Sequence, residues 1–177
     1  MSDDEQLVKQ AQAGNAQAFE YLLESHYDTI FRFAFRWCGN REDAEDIAQQ
    51  ACVKLARGLG QYRFESSFTS WLYRLVINCA KDWQKTQGRH RYSADEHDHS
   101  QELVYDDKPE KSLLVRQLLT ALENFSDGMK ETVLLVHSEG LTHSEAAAIL
   151  GIKESTISWR LHEIRKKFQS RFGQDKL

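Results

Sequence analysis

Apolar residues recur at helical spacing through almost the whole chain, and this periodicity limits the possible folds more than any other feature. They return every three or four residues from Phe19 to Cys38, and Gly39-Asn40 then supplies a helix stop. The same spacing recurs at residues 44–59 and 68–83. Strand-like alternation is absent, and one proline and nine glycines in 177 residues provide few helix breakers. The sequence therefore predicts an all-α protein.

A polar stretch interrupts the periodicity and divides the chain into two parts. Residues 93–111 are rich in Asp, Glu, His and Ser and contain the single proline, Pro109. This composition is typical of a flexible, solvated linker. We predict a small helical domain over residues 1–92, with three main helices after a short first one, and a second small helical domain over residues 112–177.

The charges are distributed unevenly, and the net charge of −4 conceals this pattern. Residues 74–91 hold five bases and one acid, and residues 153–171 hold six bases and two acids. Residues 94–111, in the linker, hold seven acids and two bases. The chain therefore offers two candidate anion-binding surfaces on either side of an acidic segment.

The second domain contains a helix-turn-helix pattern. A capping box at Thr142-His-Ser-Glu145 begins a short helix, and Gly151 supplies the positive φ that a tight turn needs. The next helix carries an apolar stripe that we expect to be buried: Ile157, Leu161, Ile164 and Phe168. Its opposite face and border carry these candidate DNA-contacting residues: Ser155, Thr156, Ser158, Trp159, Arg160, His162, Glu163 and Lys166.

The positions on that face predict two kinds of contact. Trp159, His162 and Glu163 lie in the middle, where we expect them to contact bases. Arg160 and Lys166 lie near the edges, where we expect contacts to phosphates. The alternative is an ordinary helical hairpin with a solvated charged face.

The third main helix of the first domain carries another candidate DNA surface. Its polar stripe contains Arg74, Asn78 and Lys81, and Trp71 lies beside it. Aromatic residues are interspersed with this stripe: Phe64, Phe68, Trp71, Tyr73 and Trp83. Cations and stacking platforms on one helix suit single-stranded or opened DNA. The alternative is that the aromatic residues belong to the core and the bases are solvated.

An acidic cluster begins the preceding helix at Glu42, Asp43, Glu45 and Asp46. Acids at a helix N-terminus stabilise the helix dipole, and this effect alone accounts for the cluster. A partner protein with a basic surface is the functional alternative.

Other functional classes receive little support. The sequence has no glycine-rich phosphate loop, nucleophile elbow or CxxC motif, so we predict no enzymatic activity. His90, His97 and His99 lie in or beside the polar linker, and Cys38, Cys52 and Cys79 fall on apolar stripes. We therefore predict neither a cofactor nor a metal ion. The acidic N-terminus lacks a secretory pattern, and we expect a cytoplasmic chain without membrane insertion.

Three of these segments, in this order and spacing, resemble bacterial RNA polymerase sigma factors. They are Asp43-Ala-Glu-Asp-Ile-Ala-Gln-Gln-Ala-Cys-Val-Lys-Leu, Phe68-Thr-Ser-Trp-Leu-Tyr-Arg-Leu-Val-Ile-Asn-Cys-Ala-Lys-Asp-Trp, and the helix-turn-helix at 141–166. The chain is similar to the extracytoplasmic-function (ECF) subfamily over about residues 5–172. This subfamily keeps the two sigma domains, regions 2 and 4, joined by a linker.

The resemblance implies a partner for each segment. Asp43, Glu45, Asp46 and Gln50 would dock on the clamp coiled coil of the polymerase β′ subunit. Trp71, Arg74, Asn78 and Lys81 would open and read the −10 promoter element, as part of region 2 in residues 1–92. Region 4, a winged-helix-like or helix-turn-helix domain in residues 112–177, would read the −35 element through residues 154–167. Its helices from 113 to 137 would contact the flap tip of the β subunit.

The chain departs from the family pattern at several positions. Phe64 replaces the glycine common in the loop before the third helix, so we expect altered loop geometry. Trp159 stands at a position that is usually small in the family, and Glu163 at one that is often basic. We therefore expect the −35 sequence to differ from the usual motif of the subfamily. Inhibition by an anti-sigma factor is common in the family, but the sequence carries no mark of it. A two-domain helix-turn-helix regulator that acts without core polymerase is the alternative function.

Overall fold

The computed structural model describes residues 3–91 and 128–172. Every regular element in these two ranges is helical, which confirms the all-α prediction. The chain divides into two compact units, Met1–Pro109 and Glu110–Leu177. The proposed linker and the helical segment predicted from residue 113 to 127 lie outside the described residues. No helix of the described ranges is long and apolar enough to cross a membrane.

The described part of the first unit, residues 3–91, contains four helices in the predicted order, with the short one first. They are α1 (Asp3–Gln12), α2 (Ala16–Cys38), α3 (Arg41–Gly58) and α4 (Phe68–Arg91). A single 3₁₀ turn (Leu59–Gln61) follows α3, and residues 62–67 form the loop that leads into α4. This order places the loop and the start of α4 beside the end of α3.

Polar caps and one glycine set the ends of these helices. Gly39 adopts a left-handed conformation with φ 80° and ends α2, as its sequence position predicts. The Asn40 side chain then accepts a hydrogen bond from the backbone N–H of Asp43 and caps α3. Ser67 directly precedes α4, and its hydroxyl accepts a hydrogen bond from the N–H of Ser70 at 3.2 Å. Each cap satisfies a backbone donor that a helix N-terminus otherwise leaves without a partner.

The apolar stripes of all four helices meet in one core. Leu22, Ile30 and Phe33 of α2 are almost completely buried, as are Ile47 and Leu55 of α3. Val8 of α1 and Leu72, Val76 and Cys79 of α4 are buried in the same core. Fully burying a side chain of this size contributes about 1.5–3 kcal/mol each. The polar faces of α3 and α4 are therefore left on the outside.

The second unit contains the helix-turn-helix. Its described part begins with α5 (Met129–Val133), which continues as a π-helical turn (Leu134–Ser138). It is followed by α6 (His143–Leu150) and α7 (Glu154–Phe172). Gly151 links these last two helices with φ 65°, as predicted. The helix-turn-helix pattern is therefore confirmed as a local structure.

The capping box at the start of α6 is formed on both sides. The Thr142 hydroxyl accepts from the N–H of Glu145, and the Glu145 carboxylate accepts from the N–H of Thr142 at 2.8 Å. These hydrogen bonds hold the pKa of the Glu145 carboxyl below its ordinary value. The capping box thereby fixes the start of α6, the helix that precedes α7 across the turn at Gly151.

Candidate nucleic-acid interface

The basic face of α4 lies at the surface, opposite the core stripe. Arg74 and Asn78 are exposed, and Lys81 is half-buried on the same face. Asp82 is the single acid of the sequence block 74–91, and it pairs with Lys54 of α3 at 2.9 Å. This ion pair offsets the one negative charge on α4 and leaves the stripe positively charged.

An aromatic cluster lies at the start of α4, beside this stripe. Trp71 is half-buried, and its ring lies 5.5 Å from the Tyr62 ring and 5.9 Å from the Phe68 ring. The Tyr62 ring in turn lies 4.8 Å from that of Phe64. Tyr62 is not among the candidate residues named from the sequence, although an aromatic residue two positions before Phe64 is a signal that was present. Trp71 thus combines a packed inner edge with an accessible outer part.

Two aromatic residues that we grouped with this surface belong to the core instead. Phe68 is 4% exposed, and Tyr73 is 7% exposed and packs against Phe33 at a ring distance of 5.7 Å. Neither ring is therefore open to a base. Their helical positions turn them towards α2, because the apolar side of α4 is wider than the sequence stripe indicated.

The loop of residues 62–67 has an unusual backbone at Phe64. Its φ is 61°, and it is the single non-glycine residue of the described ranges with a positive φ. An L-residue in this left-handed region costs about 1–2 kcal/mol relative to the right-handed one. Phenylalanine thus adopts a conformation that glycine reaches freely, so the loop is strained at this residue.

The acidic cluster on α3 separates into occupied and accessible carboxylates. Asp43 accepts a hydrogen bond from the Asn40 side-chain amide at the helix cap, and Glu45 pairs with Arg41 at 2.8 Å. Asp46 and Gln50 are exposed one helical turn apart. Val53 continues this line and is 44% exposed, and the sequence analysis did not identify it. An exposed apolar residue on an otherwise polar face is the signal that was available.

The structure confirms the predicted orientation of α7. Ile157, Leu161 and Ile164 are buried, and Phe168 is half-buried. Trp159 is 56% exposed in the middle of the opposite face. The other exposed candidates are Ser155, Ser158, His162 and Lys166, whereas Thr156 and Glu163 are half-buried. The Ser158 hydroxyl lies 3.1 Å from Nδ1 of His143, which joins α7 to the start of α6.

Arg160 has a different position from the one we expected. Its guanidinium donates to the carbonyl of Gly128 at 3.1 Å and lies 3.4 Å from the Thr132 hydroxyl. Gly128 has φ 89°, and a Cβ at this residue would overlap the guanidinium. Arg160 therefore holds α7 against the start of α5, an internal contact that the sequence did not indicate. Its contact with a phosphate stays a prediction, as does that of Lys166.

The described residues contain no cluster of metal-ligating side chains. Burial raises the pKa of the Cys52 and Cys79 thiols, so both remain protonated at neutral pH. The Cys38 thiol donates to the carbonyl of Ala34 within α2. These surroundings favour packing over redox chemistry. The candidate linker ligands His97 and His99 lie outside the described residues, as does the His90 side chain.

Comparisons with known proteins match both units of the chain. The Sigma-70 region 2 family matches residues 22–90, and the Sigma-70, region 4 family matches residues 115–168. The ECF RNA polymerase sigma factor SigE of Mycolicibacterium smegmatis is 31% identical in an alignment of 156 positions that covers 86% of this chain. The chain spans 60% of the length of that relative.

Two further comparisons extend over almost all of the chain. The RNA polymerase sigma-H factor of Pseudomonas aeruginosa is 27% identical in an alignment of 176 positions that covers 92% of this chain and 90% of that protein. The sigma factor RpoE of Bartonella quintana, solved with the anti-sigma factor NepR, shares the fold with a TM-score of 0.63. That match has 21% identity and covers 91% of this chain and 100% of the other.

The order of the matches defines a two-domain transcription factor with a helix-turn-helix in its second unit. The chain belongs to the sigma-70 family, in its ECF group.

Proposed function

We propose that this chain binds core RNA polymerase and directs it to promoters by contacting the −10 and −35 elements. The observation that carries the proposal is the outward position of Trp159 on α7, directly opposite a buried stripe, within a confirmed helix-turn-helix. A large aromatic side chain held 56% exposed on a basic helix suits a macromolecular contact. The chain would supply binding, and the core enzyme would supply the chemistry of RNA synthesis.

The acidic face of α3 is proposed as the docking surface for the clamp coiled coil of the β′ subunit. Asp43, Glu45, Asp46 and Gln50 were predicted for this contact. Asp43 and Glu45 already have partners within α3, so Asp46 is the exposed carboxylate on the line that continues to Gln50 and Val53. An exposed apolar residue beside polar ones is typical of a protein interface.

The stripe on α4 is proposed as the surface for the −10 element. Arg74 and Lys81 supply cations for phosphates, Asn78 supplies an amide for a base edge, and Trp71 supplies an aromatic face. The exposed positions of Arg74 and Asn78 on the face opposite the core support this assignment. The strained loop at Phe64 lies next to this surface.

The exposed face of α7 is proposed as the surface for the −35 element, in the major groove. Trp159, His162 and Glu163 are assigned to bases and Lys166 to a phosphate, while Ser155, Thr156 and Ser158 flank them near the helix N-terminus. Region 4 is also proposed to contact the flap tip of the β subunit, through the helices at residues 113–137. Residues 113–127 lie outside the described ranges. The support for this last assignment is therefore the family relationship.

The fold match to RpoE, which was solved with NepR, supports one more partner. We propose that an anti-sigma factor regulates this chain in the cytoplasm. A helix-turn-helix regulator that acts without core polymerase is not favoured, because such a protein needs no separate acidic docking face on its first domain.

Transcription from a promoter library tests the function. Bacterial core polymerase with and without this chain is supplied with linear DNA in which the −35 and −10 positions are randomised, and the transcripts are sequenced. We expect run-off transcripts that depend on the chain and share one motif in each element. DNA binding by the chain alone, with no transcript above core enzyme, would instead identify the regulator.

The same library tests how α7 is oriented on DNA. We expect Glu163→Ala to change the preferred base at one −35 position, since a lost base contact costs about 1–3 kcal/mol at that position. Lys166→Ala is expected to keep the motif, reduce binding to all sequences alike and lessen the salt dependence. The two variants serve as controls for each other. Exchanged outcomes would show that base contacts and phosphate contacts are assigned to the wrong sides of α7.

A further inference from the structure

We propose that Gln12 of α1 is a positioning residue for the loop of residues 62–67. Its side-chain amide donates one hydrogen bond to the carbonyl of Leu59 at 2.8 Å and a second to the carbonyl of Tyr62 at 2.9 Å. Leu59 begins the 3₁₀ turn, and Tyr62 is the first residue of the loop. Both N–H donors of the Gln12 side-chain amide therefore bind carbonyls of the backbone that leads into the loop. This inference rests on the proposed −10 surface only for its functional consequence.

The backbone strain at Phe64 explains why the loop needs the hydrogen bonds from Gln12. Phe64 follows Tyr62 by two residues and has φ 61°, a conformation that a phenylalanine does not hold without support. A second residue of α1 contacts the same loop, because Lys9 Nζ lies 5.2 Å from the centre of the Phe64 ring. Lys9 thus contacts the side chain of the strained residue, and Gln12 holds the backbone that precedes it.

Other residues attach α1 to the rest of the unit. Val8 is completely buried in the core, and Asp4 lies 3.0 Å from Nε2 of His26 on α2. Gln12 itself is at the surface. Its two hydrogen bonds therefore join the turn and the loop to a helix that Val8 and Asp4 already attach to the unit. Loss of Gln12 is expected to loosen the loop while the helices remain folded.

The loop connects the hydrogen bonds of Gln12 with Trp71 on the proposed −10 surface of α4. Tyr62 contacts the rings of Phe64 and Trp71. Fixing the Tyr62 backbone therefore fixes the ring against which Trp71 packs, at the base of the stripe with Arg74 and Asn78. Preorganised contact surfaces bind more tightly than mobile ones, because less ordering is needed on binding.

Hydrogen exchange on the full chain tests the structural part. Gln12→Glu keeps the side-chain shape and replaces both donors with acceptors, and Gln12→Ala removes the amide group. Gln10→Glu makes the same charge change at an exposed residue of the same helix. We expect both Gln12 variants to speed amide exchange at residues 62–67 about tenfold, with the core amides of α2 unchanged. Unchanged loop exchange, or equal acceleration throughout the unit, would overturn the proposal.

A double-mutant cycle tests the functional part. The probe is a single-stranded oligonucleotide carrying the −10 motif selected in the library, bound to the holoenzyme. We expect Gln12→Glu to weaken binding about tenfold in the natural chain and about threefold or less when Phe64→Gly is also present. Glycine adopts the left-handed conformation without strain, so it needs less support from Gln12. An equal loss in both backgrounds would show a general structural role and overturn the positioning assignment.

The two tests separate this inference from the proposed function. If the natural chain forms no holoenzyme or selects no promoter, the proposed function fails, whereas the exchange result still decides whether Gln12 holds the loop. If the chain directs transcription and Gln12→Glu behaves like Gln10→Glu in both measurements, the function stands and the role of Gln12 is rejected.

Discussion

Asp46→Lys is expected to weaken the complex with core RNA polymerase by about 2–5 kcal/mol, if the carboxylate meets a cation that becomes buried in the interface. The reason is the position of Asp46, exposed on the α3 face that also presents Gln50 and Val53. Reversal replaces attraction by repulsion and leaves the partner's charge uncompensated. Competition between labelled natural chain and the variant for a limiting amount of core enzyme measures the effect.

Glu20→Lys is the matched control for this experiment. Glu20 is exposed on α2, so its reversal makes the same change of net charge away from the α3 face. Asp43 is less suitable for such a test, because its carboxylate takes part in the cap at Asn40, and replacing it also alters α3. Equal affinity of Asp46→Lys and the natural chain for core enzyme would remove α3 from the interface.

The second large effect is expected at promoter opening. Replacing Arg74, Asn78 and Lys81 together with alanine removes the polar stripe of α4. Contacts to an opened strand contribute about 1–3 kcal/mol each when they include base stacking or a base edge, so the combined loss is large. Permanganate footprinting of −10 thymines is expected to show little reactivity with the triple variant, while its affinity for core enzyme is retained.

Arg57→Ala serves as the control for lost positive charge. Arg57 is exposed near the end of α3, and it lies outside the proposed DNA stripe. We expect this variant to open the promoter normally. Full thymine reactivity with the triple variant would contradict the assignment of α4, and weakened core binding would place these residues at the polymerase instead.

The helices could be predicted from the sequence because their signals are local. Apolar spacing of three and four residues, the glycines at 39 and 151 and the caps at Ser67 and Thr142 each act within one or two helical turns. The buried stripe of α7 follows from the same periodicity. The helix-turn-helix and the candidate face of that helix were therefore available before any tertiary contact was known.

The sequence did not show which candidate residues of one surface are accessible and which are buried or already paired. The acids of α3 are equivalent by composition, yet Asp43 takes part in the cap at Asn40, the exposed Glu45 pairs with Arg41, and Asp46 is exposed one helical turn before Gln50. Phe68 and Tyr73 have the same residue type as accessible stacking platforms but are buried. Burial depends on how widely α4 contacts α2, and no pattern along α4 alone contains that width.

The sequence by itself determined the all-helical architecture, the two-part order and the sigma-70 motifs, because each is recorded in local spacing. Only the tertiary structure decided that Arg160 binds the carbonyl of Gly128 and that Gln12 binds those of Leu59 and Tyr62. These partners lie between 32 and 50 residues apart in the chain. Such contacts form between a side chain and backbone carbonyls that every residue type possesses. The residue type at the distant position therefore gives no sequence signal for the contact. Only the packing of the helices decides which carbonyl accepts the hydrogen bond.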